Sequence, residues 1–313
     1  MIHARGLTRE FKVKKETVTA VAGIDLDVEA GQLVAFLGPN GAGKSTTLRM
    51  LTTLLPPTSG TATVAGHDVA SHPAAVRSRI GYVGQKNSAG ENFLVRDELV
   101  TQGRCYGLGT SDAAARADEL LDLLDLRPLA RRSPGTLSGG QRRRLDIALG
   151  LIHRPDLLFL DEPSTGLDPK SRADIWQHIL LLRETFGTTL FLTTHYLEEA
   201  DNMAERVVII DGGKIIADGT AERLKNDLAG DHITITTSTE REARTAARIG
   251  DGTATGTTVR LQVPNAAAAL PDYLRTLDGA GIKVTTAETA RPTLDDVFLA
   301  LTGRSLTDDD IPA

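Results

Sequence analysis

One cysteine, Cys105, occurs in 313 residues, so an internal disulfide is excluded, and so is a zinc module built on several thiolates. Such scarcity fits a reducing, cytosolic setting, and Cys105 is expected to be a buried small side chain rather than a reactive one. Long apolar runs are missing too: residues 157–160 and 207–210 fall far short of the roughly 18 to 20 residues that a membrane-spanning helix needs. The sequence therefore predicts a chain that does not cross a bilayer. Its start, Met1, Ile2, His3, Ala4 and Arg5, leads directly into patterned sequence, without the basic start, apolar stretch and small-residue cleavage site of a secretory signal. Nor is positive charge in surplus. Lys and Arg number 35 against 41 Asp and Glu, a formal net charge of −6, which gives no basis for broad electrostatic capture of nucleic acid or anionic lipid.

What is present is an ordinary globular composition, 41% apolar and 24% charged, sufficient for one large core and a smaller one. Strands are expected at residues 2–8 and 17–27, the second from the alternation of Val18, Ala20, Ala22, Ile24, Leu26 and Val28. The continuous apolar run Leu33–Leu37 fits a strand covered on both faces, and it leads into a glycine-rich loop. The turn Pro56-Pro57-Thr58-Ser59-Gly60 separates a helix end from a further strand, and residues 74–79 predict a short helix before a strand at 80–83. From there to about residue 153 the pattern is mainly helical. A second buried strand at 157–160, a helix around 172–184 and a strand at 188–193 follow. This alternation argues a mostly parallel α/β core. Beyond residue 220, threonine- and alanine-rich strands and helices at 233–237, 259–263, 266–277 and 282–286 predict a small α+β domain, and the acidic end from Asp308 a solvated tail.

Residues Gly38, Pro39, Asn40, Gly41, Ala42, Gly43, Lys44, Ser45 and Thr46 fit the phosphate-binding loop pattern and stand between a buried strand and a helix. Glycines let the backbone wrap a phosphate, so that successive N–H groups and the helix N-terminus point at the anion. Lys44 adds a positive charge toward the β and γ phosphates, and the Ser45 hydroxyl can ligate Mg²⁺. A carboxylate pair, Asp161 and Glu162, ends the second buried strand, which in a parallel sheet delivers it to the same edge as the loop. Asp161 can hold Mg²⁺ through water, and Glu162 can polarise an attacking water.

Residues Leu137-Ser138-Gly139-Gly140-Gln141 open a helix and resemble the signature motif of the ATP-binding cassette (ABC) family. A simple N-cap reading of Ser138 is compatible with that, because an open helix start is what binds phosphate. The resemblance implies that Ser138, Gly139, Gly140 and Gln141 cap the γ-phosphate held by a second copy, two chains enclosing two ATP molecules head to tail. It further implies that Phe11 stacks on adenine, that Gln85 touches Mg²⁺ and the attacking water, that residues 164–168, ending at Asp168, couple the two sites, and that His195 contacts the γ-phosphate and positions water. The fold so implied is a P-loop ATPase core of mostly parallel sheet, with an antiparallel β subdomain and a helical insert at about 86–153, over residues 1–220. A small α+β domain at 221–304 and a tail at 305–313 complete it. Two side readings accompany this one: Arg142, Arg143 and Arg144 form a solvated or intersubunit face rather than a nucleic-acid patch, and Trp176 belongs to the core.

Three classes of cassette protein compete. DNA-maintenance cassettes insert zinc modules or long coiled coils between the phosphate loop and the signature, and translation cassettes fuse two nucleotide domains. This chain has neither feature. The run Pro57-Thr58-Ser59-Gly60, the segment 135–151 and the stretch from Pro292 to Gly303 are similar to the daunorubicin-resistance type of exporter subunit. That resemblance implies an ATP- and Mg²⁺-dependent ATPase on the cytoplasmic face of the cell membrane. Its partners would be a second copy of itself and a separate polytopic permease, docked beside Gln85 and the helical insert, with no nucleic acid. The alternative is a soluble cassette ATPase acting on DNA or the ribosome. Whatever the function, Leu294, Val297, Phe298 and Leu301 predict an amphipathic helix docked on its own domain.

Overall fold

The computed structural model describes residues 1–304 apart from Lys15, Asn92 and Ala229; the expected tail at 305–313 lies outside the described residues. The chain divides into two compact units, Met1–Asp218 and the part from Gly219 onward.

In the first unit, β1 (Ile2–Val13) and β2 (Glu16–Val28) form a long antiparallel hairpin, running further than the sequence pattern indicates because backbone pairing continues past the apolar alternation. Next come β3 (Leu33–Leu37), α1 (Lys44–Leu51), β4 (Ser59–Val64), β5 (His67–Asp68), α2 (Pro73–Arg79) and β6 (Ile80–Val83). The insert holds α3 (Val95–Cys105), α4 (Thr110–Leu123) and α5 (Gly139–Leu151). The unit closes with β7 (Leu157–Asp161), α6 (Pro169–Phe186), β8 (Thr189–Thr194), α7 (Leu197–Met203), β9 (Arg206–Asp211) and β10 (Lys214–Gly219). Strands β2-β1-β4-β5 make an antiparallel sheet, and a second sheet runs β10-β9-β3-β8-β7-β6. Within the latter, β3 is parallel to β8 and β9, and β7 is parallel to β6 and β8.

Every residue of β3, β7 and β8 is buried, which is why Leu33–Leu37 and residues 157–160 appear as unbroken apolar runs rather than as alternation. Phe36, Phe191 and Phe159, one from each of these neighbouring strands, pack side by side, with the Phe191 ring centroid 5.5 Å from that of Phe36 and 5.7 Å from that of Phe159. The registers pair Leu37 with Thr194, Thr193 with Asp161, and Leu160 with Val83. Four strand ends thus reach one edge of the sheet, where the phosphate loop, Gln85, the carboxylate pair and His195 all follow. This is the crevice in which open α/β sheets bind ligands. Helix α5 lies directly on β6, since a Cβ on Gly81 would come within 2.2 Å of the Gly150 carbonyl oxygen.

The second unit contains α8 (Ala221–Leu228), β11 (Asp231–Thr237), α9 (Glu240–Ile249), β12 (Thr253–Thr255), β13 (Thr258–Val263), α10 (Ala266–Gly279), β14 (Val284–Ala290) and α11 (Leu294–Thr302). Its sheet order is β12-β13-β11-β14, over a core that includes Ile233, Ile235, Val259, Leu261, Tyr273 and Leu277. The strand expected at 282–286 begins two residues later, because Ile282 turns into the core before pairing starts. Helix α11 buries Leu294, Val297 and Phe298, whereas Leu301 is 37% exposed, one turn beyond the docked part of the stripe.

Two further expectations are corrected. Cys105 is exposed, at the last turn of α3, where the helix leaves its packed face. Arg143 is buried rather than solvated, because three backbone carbonyls accept its guanidinium hydrogens. Trp176 is in the core, as expected.

Candidate functional site

Strand β3 ends in the loop of residues 38–43, and Gly43, with φ 103°, is the N-cap of α1. A side chain at Gly38 would press a Cβ to 2.2 Å from the Ile210 carbonyl oxygen, so only glycine fits there. Lys44 is almost fully buried, with Nζ donating to the Gly38 carbonyl at 2.6 Å and the Pro39 carbonyl at 3.0 Å and lying 3.7 Å from Glu162 Oε1. Its charge is thereby aimed by the loop it belongs to. The cleft above has a volume of about 240 Å³ and is lined by Ala20, Pro39, Asn40, Gly41, Gly43, Lys44, Ser45, Thr46, Gln85 and Glu162.

Ser45 Oγ donates to Asp161 Oδ1 at 3.0 Å, and Gln85 Nε2 donates to Ser45 Oγ at 3.3 Å. Hydroxyl, carboxylate and amide oxygen are hard donors of the type Mg²⁺ takes alongside nucleotide phosphates, so the three residues fit that ion. Thr193, which motif reasoning passed over, organises the carboxylate pair: its Oγ1 donates to Asp161 Oδ1 at 2.7 Å and accepts the Glu162 N–H at 3.0 Å. Glu162 takes a left-handed φ of 48°, uncommon for a side chain of its size, and Thr165 Oγ1 donates to its Oε2 at 3.2 Å. The His195 imidazole lies with Nδ1 3.5 Å from Glu162 Oε1. That imidazole, with the Lys44 charge behind it, holds the Glu162 carboxyl below the usual range despite burial. The glutamate is therefore an ionised base in a dry setting.

The signature segment opens α5 with a capping box, in which Gln141 N–H donates to Ser138 Oγ at 3.4 Å and Ser138 N–H to Gln141 Oε1 at 3.0 Å. Ser138 and Gly139 are exposed, and Gly140 fits against Ser171 of α6. Asp168 caps α6, accepting from Ser171 N–H at 3.0 Å and Ser171 Oγ at 2.6 Å. Ser164 donates to the buried Glu199, which also accepts from Thr194 Oγ1 at 2.9 Å, tying the loop after Glu162 to α7. Phe11 pairs with Val18 in the hairpin, its ring 4.7 Å beneath the Arg9 guanidinium. Neither Phe11 nor residues 138–141 are among the residues described as lining the cleft. Glu199 could have been noticed as an acidic residue following His195; Thr193 has no local signature, since threonine ending a strand is common.

A phosphate loop on a helix start, met at one sheet edge by an ionised glutamate and a serine–aspartate pair, defines a P-loop ATPase of the cassette type. Residues 21–165 match the family described as ABC transporter, and residues 219–302 the one described as ATP-binding protein DrrA1-3-like, C-terminal domain. The chain is 45% identical to the daunorubicin resistance ATP-binding protein DrrA3 of Streptomyces coeruleorubidus, over 91% of each chain. It is 35% identical to the linearmycin resistance ATP-binding protein LnrL of Bacillus subtilis, over 98% of this chain and 100% of that one. Among solved structures, the ATP-binding cassette MJ0796, a dimer in a post-hydrolysis state bound to ADP and Pi, matches with a TM-score of 0.64 and 26% identity, over 70% of this chain and 98% of that one. The chain belongs to the ABC transporter ATP-binding proteins of the DrrA daunorubicin/doxorubicin-resistance type, ATPases that hydrolyse ATP to power transport. Among the described residues, no helix is long and apolar enough to cross a membrane.

Proposed function

We propose that the chain energises export of a drug, antibiotic or lipid-like compound, working as a head-to-tail dimer on a separate polytopic permease at the cytoplasmic face of the membrane. The observation that carries the catalytic half of this reading is the Ser45–Asp161 contact of 3.0 Å beside an ionised Glu162, all at the mouth of the Lys44 loop. The names of the relatives, resistance proteins for daunorubicin and linearmycin, support the substrate class.

In this reading Lys44 binds the β and γ phosphates, and Ser45, Asp161 and Gln85 hold Mg²⁺. That ion, when bound, neutralises phosphate charge and orients the γ-phosphoryl group. Glu162 accepts the proton of a water whose oxygen bonds to the γ-phosphorus as the bond to the bridging oxygen of ADP breaks. His195 keeps Glu162 ionised and steadies the γ-phosphate. The exposed helix start at Ser138 and Gly139 suits the phosphate of a second copy, so ATP stabilises the closed dimer and its hydrolysis releases it. Phe11 is assigned to the adenine and Asp168 to coupling across the dimer. The domain at 221–304 is assigned to strengthening the dimer.

The test is affinity capture of the Glu162→Gln variant with ATP and Mg²⁺, from detergent-solubilised membranes and from soluble extract, with co-purifying proteins identified by mass spectrometry. A stoichiometric polytopic membrane protein is the expected result; ribosomes or DNA-processing proteins instead would overturn the exporter reading and leave the ATPase chemistry standing.

A further inference from the structure

The segment that carries Gln85 is held at both ends by one face of the helix that begins with the signature. Arg143, in the second turn of α5, is 6% exposed, and its guanidinium spreads over three backbone carbonyls. Nη1 donates to Gly84 O at 2.6 Å, Nη2 to Asp161 O at 3.1 Å and Nε to Pro163 O at 2.8 Å. Gly84 precedes Gln85, and Asp161 and Pro163 flank Glu162. Asp146, three residues on and 1% exposed, accepts at Oδ1 the N–H groups of Ser88 at 2.8 Å and Ala89 at 3.3 Å. Positions three apart share a helix face, so one surface of α5 donates to one end of the segment and accepts from the other.

Burial opposes both charges, and each supports the other: desolvation pushes the Arg143 guanidinium down and the Asp146 carboxyl up, while their attraction acts the opposite way. An isolated buried charge would be costly, and a planar guanidinium is the side chain that can reach three separated carbonyls at once. A lysine ammonium keeps the charge but is too compact to span them.

We propose that Arg143 and Asp146 form a clamp that positions Gln85 and Glu162 relative to the signature segment, so that phosphate engagement at the start of α5 is transmitted to both. They act as positioning residues, through backbone groups rather than on the nucleotide. The inference rests on the roles given above to Gln85, Glu162 and residues 138–141.

The full-length protein with ATP and Mg²⁺ provides the test. Arg143→Lys is expected to lower kcat about 10- to 100-fold while changing ATP affinity by less than about 3-fold, since the contacts of Lys44 and Ser45 are untouched. Amide hydrogen exchange at Ser88 and Ala89 should accelerate in Asp146→Ala, which removes their acceptor. It should also accelerate in Arg143→Lys, although Arg143 touches neither amide. The double variant should lose no more activity than the worse single one, as expected for two halves of one device. Unchanged kcat in Arg143→Lys would overturn the clamp, and so would a kcat loss matched by weaker ATP binding and faster exchange throughout residues 38–46, which marks general loosening. If Arg143→Lys does not fold, Asp146→Asn decides. It keeps the acceptor oxygen, so its kcat loss should be smaller than that of Asp146→Ala, and equal losses would overturn the proposal. Normal turnover by Glu162→Gln would remove the assigned role of Glu162 without altering the exchange result, which separates the two failures.

Discussion

Lys44 is held by its own loop: its side chain is 4% exposed and its ammonium donates to the carbonyls of Gly38 and Pro39. Lys44→Ala removes a positive charge from the phosphate site, and charge-assisted contacts of this type are worth about 1.5 to 3 kcal/mol, so ATP affinity should fall roughly 10- to 100-fold in equilibrium titration. Unchanged affinity would exclude the assigned phosphate contact. Glu162 sets a pH dependence. Its carboxyl is depressed below the ordinary value of 4.5 by His195 and Lys44, so it is a competent base at any pH above its folded pKa. The stability it contributes is complete above the unfolded pKa and lost as pH falls through the folded one. His195→Ala should therefore move the acid limb of kcat upward, because burial of the Glu162 carboxyl then meets less opposition. A pH–rate profile of both proteins at saturating ATP checks this; a limb that stays where it is in His195→Ala would exclude the electrostatic role assigned to His195.

Element-level behaviour follows from close approaches of backbone. Gly38→Ala would force a Cβ to 2.2 Å from Ile210 O, at the join of β3 and β9, where neither strand can retreat without breaking the sheet. Overpacking of this type costs about 1 to 3 kcal/mol, so the melting temperature should drop by roughly 2 to 12 °C and ATP binding should weaken with it. A variant with parental melting temperature would mean that the loop relaxes freely. The capping box at Ser138 serves two ends at once: it takes up the Ser138 and Gln141 N–H groups and leaves the helix start at Ser138 and Gly139 exposed. Loss of that cap costs about 1 kcal/mol.

At the scale of the molecule, the buried clusters around Phe36 and around Ile233 each lie wholly within one unit. Two calorimetric transitions are expected, of which ATP with Mg²⁺ raises only the one belonging to the nucleotide unit, by linkage. A single transition, shifted as a whole, would mean that the units unfold together. For Glu162→Gln with ATP and Mg²⁺ a stable dimer is expected on size exclusion. Removing the residues after 220 should raise the protein concentration at which that dimer forms, and an unchanged concentration would exclude the dimer-strengthening role.

Much of this was legible in the sequence. The residues assigned to phosphate at 38–46 and 137–141 stand in contiguous stretches because phosphate recognition by backbone amides is local chemistry, and the runs at 33–37 and 157–160 marked strands covered on both faces. The side of α5 on which Arg143 falls was not legible. That helix is buried at residues 143, 145–149 and 151, nearly all around, so no apolar stripe indicates its phase. Thr193 joined the site only through its register opposite Asp161, and Cys105 turned outward because its helix ends there. By itself the sequence determined the nucleotide chemistry and the order of strands and helices, since these depend on neighbours along the chain. Which charges are buried, what they hold and how Gln85, Glu162 and the signature are joined was decided only by tertiary structure, because those contacts link residues distant in the chain: 59 positions separate Arg143 from Gly84, 58 separate Ser88 from Asp146, 32 separate Thr193 from Asp161 and 18 separate Arg143 from Asp161.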